Sequence, residues 1–138
     1  MTNFLILLFA KIVCPSVHVR ITDRDSCFDC TEDTIYINPH EVDDYGFTRH
    51  VREVHECGFA DEISYALWAV LHEIGHFHTL DFCDDDLTTR AFCMISPNNA
   101  ATQNLYYGIE SEWEATEWAI DYAADHRTLC AIFTALLR

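Results

Sequence analysis

The sequence predicts a single α+β domain in which a small antiparallel sheet precedes a group of helices. Residues 17–22 and 34–38 have the alternating and β-branched patterns of short strands, and the two could pair as a hairpin. Apolar residues then recur at helical spacing over residues 61–79 and 111–138. The chain of 138 residues has the length of one domain and contains no linker or repeat, so we assign residues 1–138 to one unit.

An apolar run at residues 4–10 precedes the first strand segment. The run predicts a buried first helix that ends before Pro15. It is much shorter than the roughly 20 residues that a membrane-spanning helix needs. No basic residue precedes the run, and no small-x-small cleavage pattern follows it before Cys14, so a targeting segment is the less favoured interpretation. We therefore expect no membrane association.

Acidic residues dominate the charged composition. There are 23 Asp and Glu residues against 8 Lys and Arg residues, which gives a formal net charge of −15. Such a surface repels phosphate backbones, which argues against direct binding of nucleic acid. The charge favours a basic partner or a basic substrate segment, although it also serves to keep a small protein in solution.

The seven cysteines are Cys14, Cys27, Cys30, Cys57, Cys83, Cys93 and Cys130. An odd number without regular spacing is typical of reduced thiols, so we expect a cytoplasmic protein. Cys27 and Cys30 have the spacing of metal ligands or of a redox pair. A structural zinc site needs four ligands, however, and no second pair of this kind exists in the sequence.

Two helices and a long loop are expected after the sheet. Residues 48–57 predict a helix that Gly58 ends. Asp61 is a plausible N-cap for a second helix that extends to about Thr79. Residues 80–104 are rich in Asp, Thr, Ser, Pro and Asn and predict a loop of a length that often rims a cleft.

The segment His72-Glu73-Ile74-Gly75-His76 has the most specific pattern in the chain. Histidines four residues apart lie on one face of a helix, where they can share a metal ion. Each residue turns the helix by about 100°, so Glu73 lies to one side of the two ligands and can act as a base on water. Gly75 is a poor helix former, and it predicts the close approach of a strand or of a second ligand-bearing helix. The competing interpretation is an ordinary amphipathic helix with histidines on its solvent face.

A catalytic zinc site usually has three protein ligands and one open position. The candidates for the third ligand are His78, Asp81, Asp84, Asp85, Asp86, Glu110, Glu112, Glu114, Glu117 and His126. We favour Glu112 over Glu114, because the two point about 200° apart on a helix and Glu112 borders the apolar face near Ala115. Glu114 lies on the solvated flank. It also has capping-box spacing from Ser111, where we expect the final helix to begin and from which it should continue to the C-terminus.

Two segments resemble motifs of the ImmA/IrrE family of small zinc metallopeptidases. His72 to His76 matches the family's H-E-[LI]-G-H, and residues 112–119 are similar to its E-x-x-A-N-x-F-A, with Thr116 in place of Asn and Trp118 in place of Phe. The similarity covers roughly residues 17–137. It implies a zincin-like core of the gluzincin type, with His72, His76 and Glu112 as zinc ligands and Glu73 as the base. It also implies a substrate of the repressor type.

These patterns predict a Zn²⁺-dependent metallopeptidase that hydrolyses a peptide bond in a protein or peptide substrate, with Glu73 as the base. The oxyanion of the transition state needs a donor besides the metal, for which Tyr106, Tyr107 and His126 are candidates. The main alternative is a zinc-binding, non-catalytic interaction module with an acidic surface. A zinc-dependent amidase or deamidase is a further alternative.

Overall fold

The computed structural model describes residues 1–79 and 86–138. Within these ranges the chain forms seven α-helices, a short 3-10 turn and a three-stranded sheet, which confirms the α+β class. The strands are β1 (His18–Ile21), β2 (Cys27–Asp29) and β3 (Thr34–Ile37). The helices are α1 (Thr2–Val13), α2 (Phe47–Glu53), α3 (Tyr65–Thr79), α4 (Leu87–Ile95), α5 (Ala100–Tyr107), α6 (Glu110–Asp125) and α7 (Arg127–Leu137).

The sheet is mixed, so the predicted antiparallel hairpin of residues 17–22 and 34–38 is wrong. β3 lies in the centre, with β1 parallel on one side and β2 antiparallel on the other. β2 lies in the segment between the two predicted strands and turns into β3 through Asp33, whose φ of 49° is left-handed. Because β2 occupies one edge of β3, β1 pairs with the other edge. The chain reverses direction between β1 and β2 and again between β2 and β3, so β1 and β3 run in the same direction.

α1 forms where the N-terminal apolar run predicts a helix, but only one face is buried, since Phe4, Leu8 and Ile12 are exposed. Its buried residues are Leu5, Ile6, Phe9 and Ala10. The helix contacts β1, α3 and α7, and the ring of Phe9 lies 5.2 Å from that of Phe133. It ends at Val13, and Cys14 is extended, as expected for a residue before proline. Among the residues that the structure describes, no helix is long and apolar enough to cross a membrane.

α2 is shorter than the predicted helix at residues 48–57. The Asp43 carboxylate accepts hydrogen bonds from the backbone N–H groups of Phe47 (2.7 Å) and Thr48 (3.0 Å), which fixes the start of the helix. The chain leaves the helix after Glu53, so Gly58 does not end it. The turn comes earlier, because Glu56 adopts a left-handed conformation with a φ of 55°.

α3 ends at Thr79 as predicted but begins later than the predicted N-cap. Asp61 lies in the 3-10 turn of residues 60–62, and α3 starts at Tyr65. The backbone N–H of Ser64 donates to Oγ1 of Thr134, 3.1 Å away on α7. This contact ties the start of α3 to the C-terminal helix.

The predicted loop at residues 80–104 is wrong over α4 and over residues 100–104 of α5, whereas residues 96–99 do form a loop between the two helices. Asp86 and Asn99 cap α4 and α5, since their side chains accept hydrogen bonds from the backbone N–H groups of Thr89 (2.9 Å) and Thr102 (3.0 Å). α4 contains no buried residue. Its apolar residues recur at helical spacing but stay exposed, as in Leu87 and Ile95, so no core contact marks the helix. Residues 80–85 lie outside the described residues.

The C-terminal segment forms two helices rather than one. α6 begins at Glu110, and the backbone departs from helical geometry at His126 (φ −129°, ψ 44°) before α7 begins. The predicted capping box is also wrong, because Ser111 is buried inside the first turn and its hydroxyl lies 3.4 Å from Nη2 of Arg90. Ala115 and the residues one and two turns later, Ala119 and Ala123, are buried as predicted.

Candidate metal centre

Three predicted ligands meet between α3 and α6. His72 and His76 lie one turn apart on α3, and Glu112 lies in the first turn of α6. Nε2 of His72 is 3.2 Å from Oε1 of Glu112, and Nε2 of His76 is 3.0 Å from Oε2 of Glu112. One potential ligand atom from each side chain lies within 4.8 Å of the other two. The three side chains therefore form a group that could hold a metal ion.

Gly75 allows the two helices to approach closely enough for this arrangement. A β-carbon at position 75 would lie 2.5 Å from the carbonyl oxygen of Ala115 and 3.0 Å from its Cα. Because non-bonded atoms do not approach to that distance, only glycine fits here. The predicted close approach at Gly75 is confirmed, and the approaching element is the helix that carries Glu112.

The hydroxyl of Thr116 favours one tautomer of His72, in which Nδ1 carries the proton and Nε2 can bind a metal ion. The Thr116 hydroxyl donates to the carbonyl oxygen of Glu112 (2.8 Å) and can then accept from Nδ1–H of His72 (3.2 Å). A neutral His72 with its proton on Nδ1 presents a lone pair at Nε2, which faces Glu112 Oε1. Two acceptors at 3.2 Å repel unless a cation lies between them. The donor set and the outer-shell hydrogen bond both fit a metal ion.

The ionisation of the three groups agrees with this geometry. Burial lowers the pKa of His72 and so favours its neutral ring. Burial also acts to lower the pKa of His76, but its hydrogen bond to Glu112 and the charge of that carboxylate outweigh it and raise the pKa. Burial would raise the pKa of Glu112, yet the two imidazoles hold it well below its usual range. Glu112 is thus the anion of the group.

Arg90 of α4 lies against the carboxylate from the other side. Its Nη2 is 3.4 Å from Oε2 of Glu112, and its Nη1 donates to the hydroxyl of Tyr106 (3.2 Å). The guanidinium carbon also lies 5.3 Å from the centre of the Tyr106 ring, in cation–π contact. A helix from the predicted loop therefore brings a positive charge to the predicted ligand group.

A cavity of about 500 Å³ opens beside the group. His72, Glu73, Glu112 and Arg90 all contribute to its wall. Among the described residues, the Glu73 carboxylate has no hydrogen-bond or ion-pair partner. Burial raises the pKa of Glu73 to about 8. A nearby metal cation would lower the pKa of Glu73, because it favours the carboxylate form.

The other candidate ligands lie elsewhere. The carboxylate of Asp86 caps α4, and Glu117 is half exposed with a carboxylate oxygen 3.8 Å from Nδ1 of His55. The exposed His78 stacks on Trp118, with the ring centres 4.7 Å apart. None of Glu110, Glu114 and His126 belongs to the ligand group. Asp81, Asp84 and Asp85 lie outside the described residues.

Two of the three oxyanion candidates line the cavity, namely Tyr106 and Tyr107. His126 does not, since its exposed ring stacks on Tyr122 with 4.0 Å between the ring centres. Cys27 and Cys30 are exposed free thiols, and neither belongs to a group of three or more potential metal ligands among the described residues.

The sequence interpretation missed Arg90 and assigned no role to Thr116. Arg90 lies in the segment that was predicted to be a loop. The spacing of Asp86 and Thr89 is that of an N-cap and its partner, and it could have indicated the helix. Thr116 is one turn after Glu112, a position from which a side chain contacts its helix neighbour. That spacing could have identified Thr116 as a partner of the ligand group.

The comparisons with known proteins gave no match. Neither the family models, the curated proteins nor the solved structures contain one that is significantly similar to this chain. The geometry of the site and the two motifs are therefore the features of this chain that bear on its function.

Proposed function

We propose that the protein is a zinc-dependent metallopeptidase that hydrolyses a peptide bond in a protein or peptide substrate. The observation that carries the proposal is the position of Glu73. Its carboxylate shares one cavity with His72 and Glu112, two members of the potential ligand group, and has no hydrogen-bond or ion-pair partner among the described residues. A general base must reach both the solvent and the metal centre, and this position satisfies both needs.

His72, His76 and Glu112 would hold the metal. Two imidazole nitrogens and one carboxylate oxygen are a typical ligand set of catalytic zinc sites, which leave one position open for solvent. A zinc ion bound there supplies a Lewis acid that makes hydroxide available near neutral pH and polarises a carbonyl group. Thr116 would keep the His72 ring in the tautomer that offers Nε2 to the metal.

Glu73 would move the proton. Its carboxylate takes a proton from a water molecule as the water oxygen attacks the carbonyl carbon of the scissile peptide. The same carboxyl group then gives the proton to the departing nitrogen, so that the C–N bond breaks to leave a carboxylic acid and an amine. Glu73 ends the cycle in the form in which it began.

Arg90 and Tyr106 are the donors best placed to stabilise the developing oxyanion. The two side chains are joined by a 3.2 Å hydrogen bond and both line the cavity. Preorganised donors of this kind contribute most where water is excluded. Tyr107 remains a second candidate because it also lines the cavity, whereas His126 lies elsewhere.

The substitution Glu73→Gln tests the proposal. It removes the base and no ligand, so we expect the variant to keep its metal and fold while hydrolysis falls by roughly 10²- to 10⁴-fold. The measurement is the cleavage of a diverse peptide library by metal-loaded protein, followed by mass spectrometry. Asp121→Asn, on the exposed side of α6, is the charge-matched control. Near-normal turnover by Glu73→Gln would exclude Glu73 as the base, and metal-loaded wild type that cleaves nothing would favour the non-catalytic module.

A further inference from the structure

Aromatic rings line one part of the cavity, and one of them, Phe47, lies 5.2 Å from the ring of His72. We call this part the aromatic chamber and define it by Phe47, Tyr65, Trp68 and Tyr107, all of which line the cavity. Phe47 is in edge contact with both Trp68 (5.9 Å between ring centres) and Tyr107 (5.4 Å), so these rings form one packed wall. Aromatic faces attract cations through their quadrupole, and they do so more strongly where water is excluded.

Two carboxylates outside the proposed catalytic group line the same cavity. Glu41 is partly buried and accepts a hydrogen bond from the backbone N–H of Ser26 (3.1 Å), while Asp25 lies at the exposed rim. Neither forms an ion pair with any residue that the structure describes. Arg90 also lines the cavity, but its guanidinium is bonded to Glu112 and Tyr106. The chamber therefore carries two carboxylates that form no ion pair with a described side chain.

The phenol groups of the chamber also lack partners. Tyr107 is only 6% exposed, and its hydroxyl forms no hydrogen bond with any described residue. Tyr65 lacks a hydrogen bond in the same way. After burial, the charges of Glu41 and Asp43 are the largest causes that raise the pKa of Tyr65, which places its phenol within the field of these carboxylates. Neither hydroxyl oxygen belongs to the fully buried atoms that lack a partner, and both residues line the cavity, so both hydroxyls can bond a ligand that enters it.

We propose that the aromatic chamber is a subsite for the basic side chain of an arginine or lysine in the substrate. The proposal rests on the proposed peptidase function and specifies its substrate. A guanidinium or ammonium group would neutralise Glu41 and Asp25 and donate to the phenol oxygens of Tyr65 and Tyr107. A neutral side chain of the same size would leave the carboxylates unpaired, which is how a polar pocket discriminates against a wrong ligand.

The experiment compares two ligands of nearly identical shape and different charge. Nα-acetyl-arginine amide and Nα-acetyl-citrulline amide are titrated into ¹⁵N-labelled, metal-loaded protein, and the amide shifts are followed by NMR. We expect the arginine compound to bind with a Kd about tenfold lower. The largest shifts should occur at cavity residues such as Ala69 and Tyr107. Equal Kd values, or shifts confined to other parts of the acidic surface, would overturn the proposal.

Two variants test whether Glu41 causes the difference in Kd. Glu41→Gln should raise the Kd of the arginine compound to that of the citrulline compound. Asp121→Asn removes an equal charge from the exposed side of α6 and should change neither Kd. If Glu41→Gln does not fold, the two Kd values of the wild type still test the subsite. A protein that shows the preference but cleaves no peptide refutes only the peptidase function, and a peptidase without the preference refutes only the subsite.

Discussion

Gly75 of α3 lies directly against the backbone of Ala115 of α6. A β-carbon at position 75 would be 2.5 Å from the carbonyl oxygen of Ala115, and that backbone cannot move without displacing α6. We therefore predict that Gly75→Ala destabilises the protein by about 1–3 kcal/mol, although alanine is the better helix former by about 1 kcal/mol. The variant should also bind metal more weakly, because Glu112 lies one turn before Ala115.

Gly58→Ala is the matched control for this prediction. A β-carbon at Gly58 would meet no atom within 4 Å. Urea denaturation should therefore give nearly equal free energies of unfolding for Gly58→Ala and the wild type. If Gly75→Ala is as stable as Gly58→Ala, the two helices do not pack as described.

The second prediction separates Glu112 from Glu114 as the third ligand. Purified protein should contain one metal ion per chain. Glu112→Ala should weaken metal binding by more than the roughly 10- to 100-fold that the loss of an outer-shell contact costs, because it removes a ligand. Glu114→Ala should keep the metal, since Glu114 lies outside the ligand group. Elemental analysis and a competition assay with a zinc chelator measure both quantities, and metal loss from Glu114→Ala alone would reverse the assignment.

The third prediction concerns the hydroxyl of Thr116. Thr116→Val removes the group that accepts from Nδ1 of His72 at 3.2 Å but keeps the shape of the side chain. We expect metal affinity to fall by about 10- to 100-fold, the usual effect of losing an outer-shell contact. Thr134→Val is the control, because it breaks the hydrogen bond to Ser64 at the start of α3 and leaves the ligand group intact. An equal loss of affinity in both variants would attribute the effect to stability alone.

The parts of the site that sequence could predict depend on spacing within one helix. His72 and His76 share a face of α3 because the α-helical repeat places them there, whatever the rest of the chain does. The close approach at Gly75 was predictable for a similar reason, since glycine inside a helix implies a neighbour. The helical repeat also explains why Glu112 and Glu114 point in different directions. The predicted start of α6 at Ser111 is one residue late.

The parts that sequence could not predict depend on contacts between distant segments. β1 pairs with one edge of β3 and β2 with the other, and no local pattern encodes that order. α4 has no buried residue, so its helical state depends on its Asp86 cap and on contacts such as those of Arg90 rather than on burial of its apolar residues. The break at His126 involves neither proline nor glycine, and it therefore left no signal in the sequence.

The last prediction concerns acid stability and His50. This residue is completely buried, its Nδ1 lies 3.0 Å from Oδ1 of Asn104, and its Nε2 has no hydrogen-bond partner among the residues that the structure describes. Burial lowers the pKa of His50 and outweighs the hydrogen bond to Asn104, which acts to raise it, while the neighbouring His55 and Arg49 also act to lower it. Below about pH 6.5 an unfolded histidine takes up a proton that folded His50 excludes, so stability falls as the pH falls. One excluded proton contributes at most about 1.4 kcal/mol per pH unit.

We therefore expect the free energy of unfolding to drop less between about pH 7.5 and about pH 5.5 in His50→Gln than in the wild type, even if the variant is less stable at both values. The measurement is urea denaturation of chelator-treated protein at constant ionic strength, which removes the pH dependence of metal binding. His40→Gln, at an exposed position, should keep the wild-type pH dependence. Parallel curves for His50→Gln and the wild type would mean that His50 binds protons equally well in the folded and unfolded states, because only a difference in proton binding produces a slope.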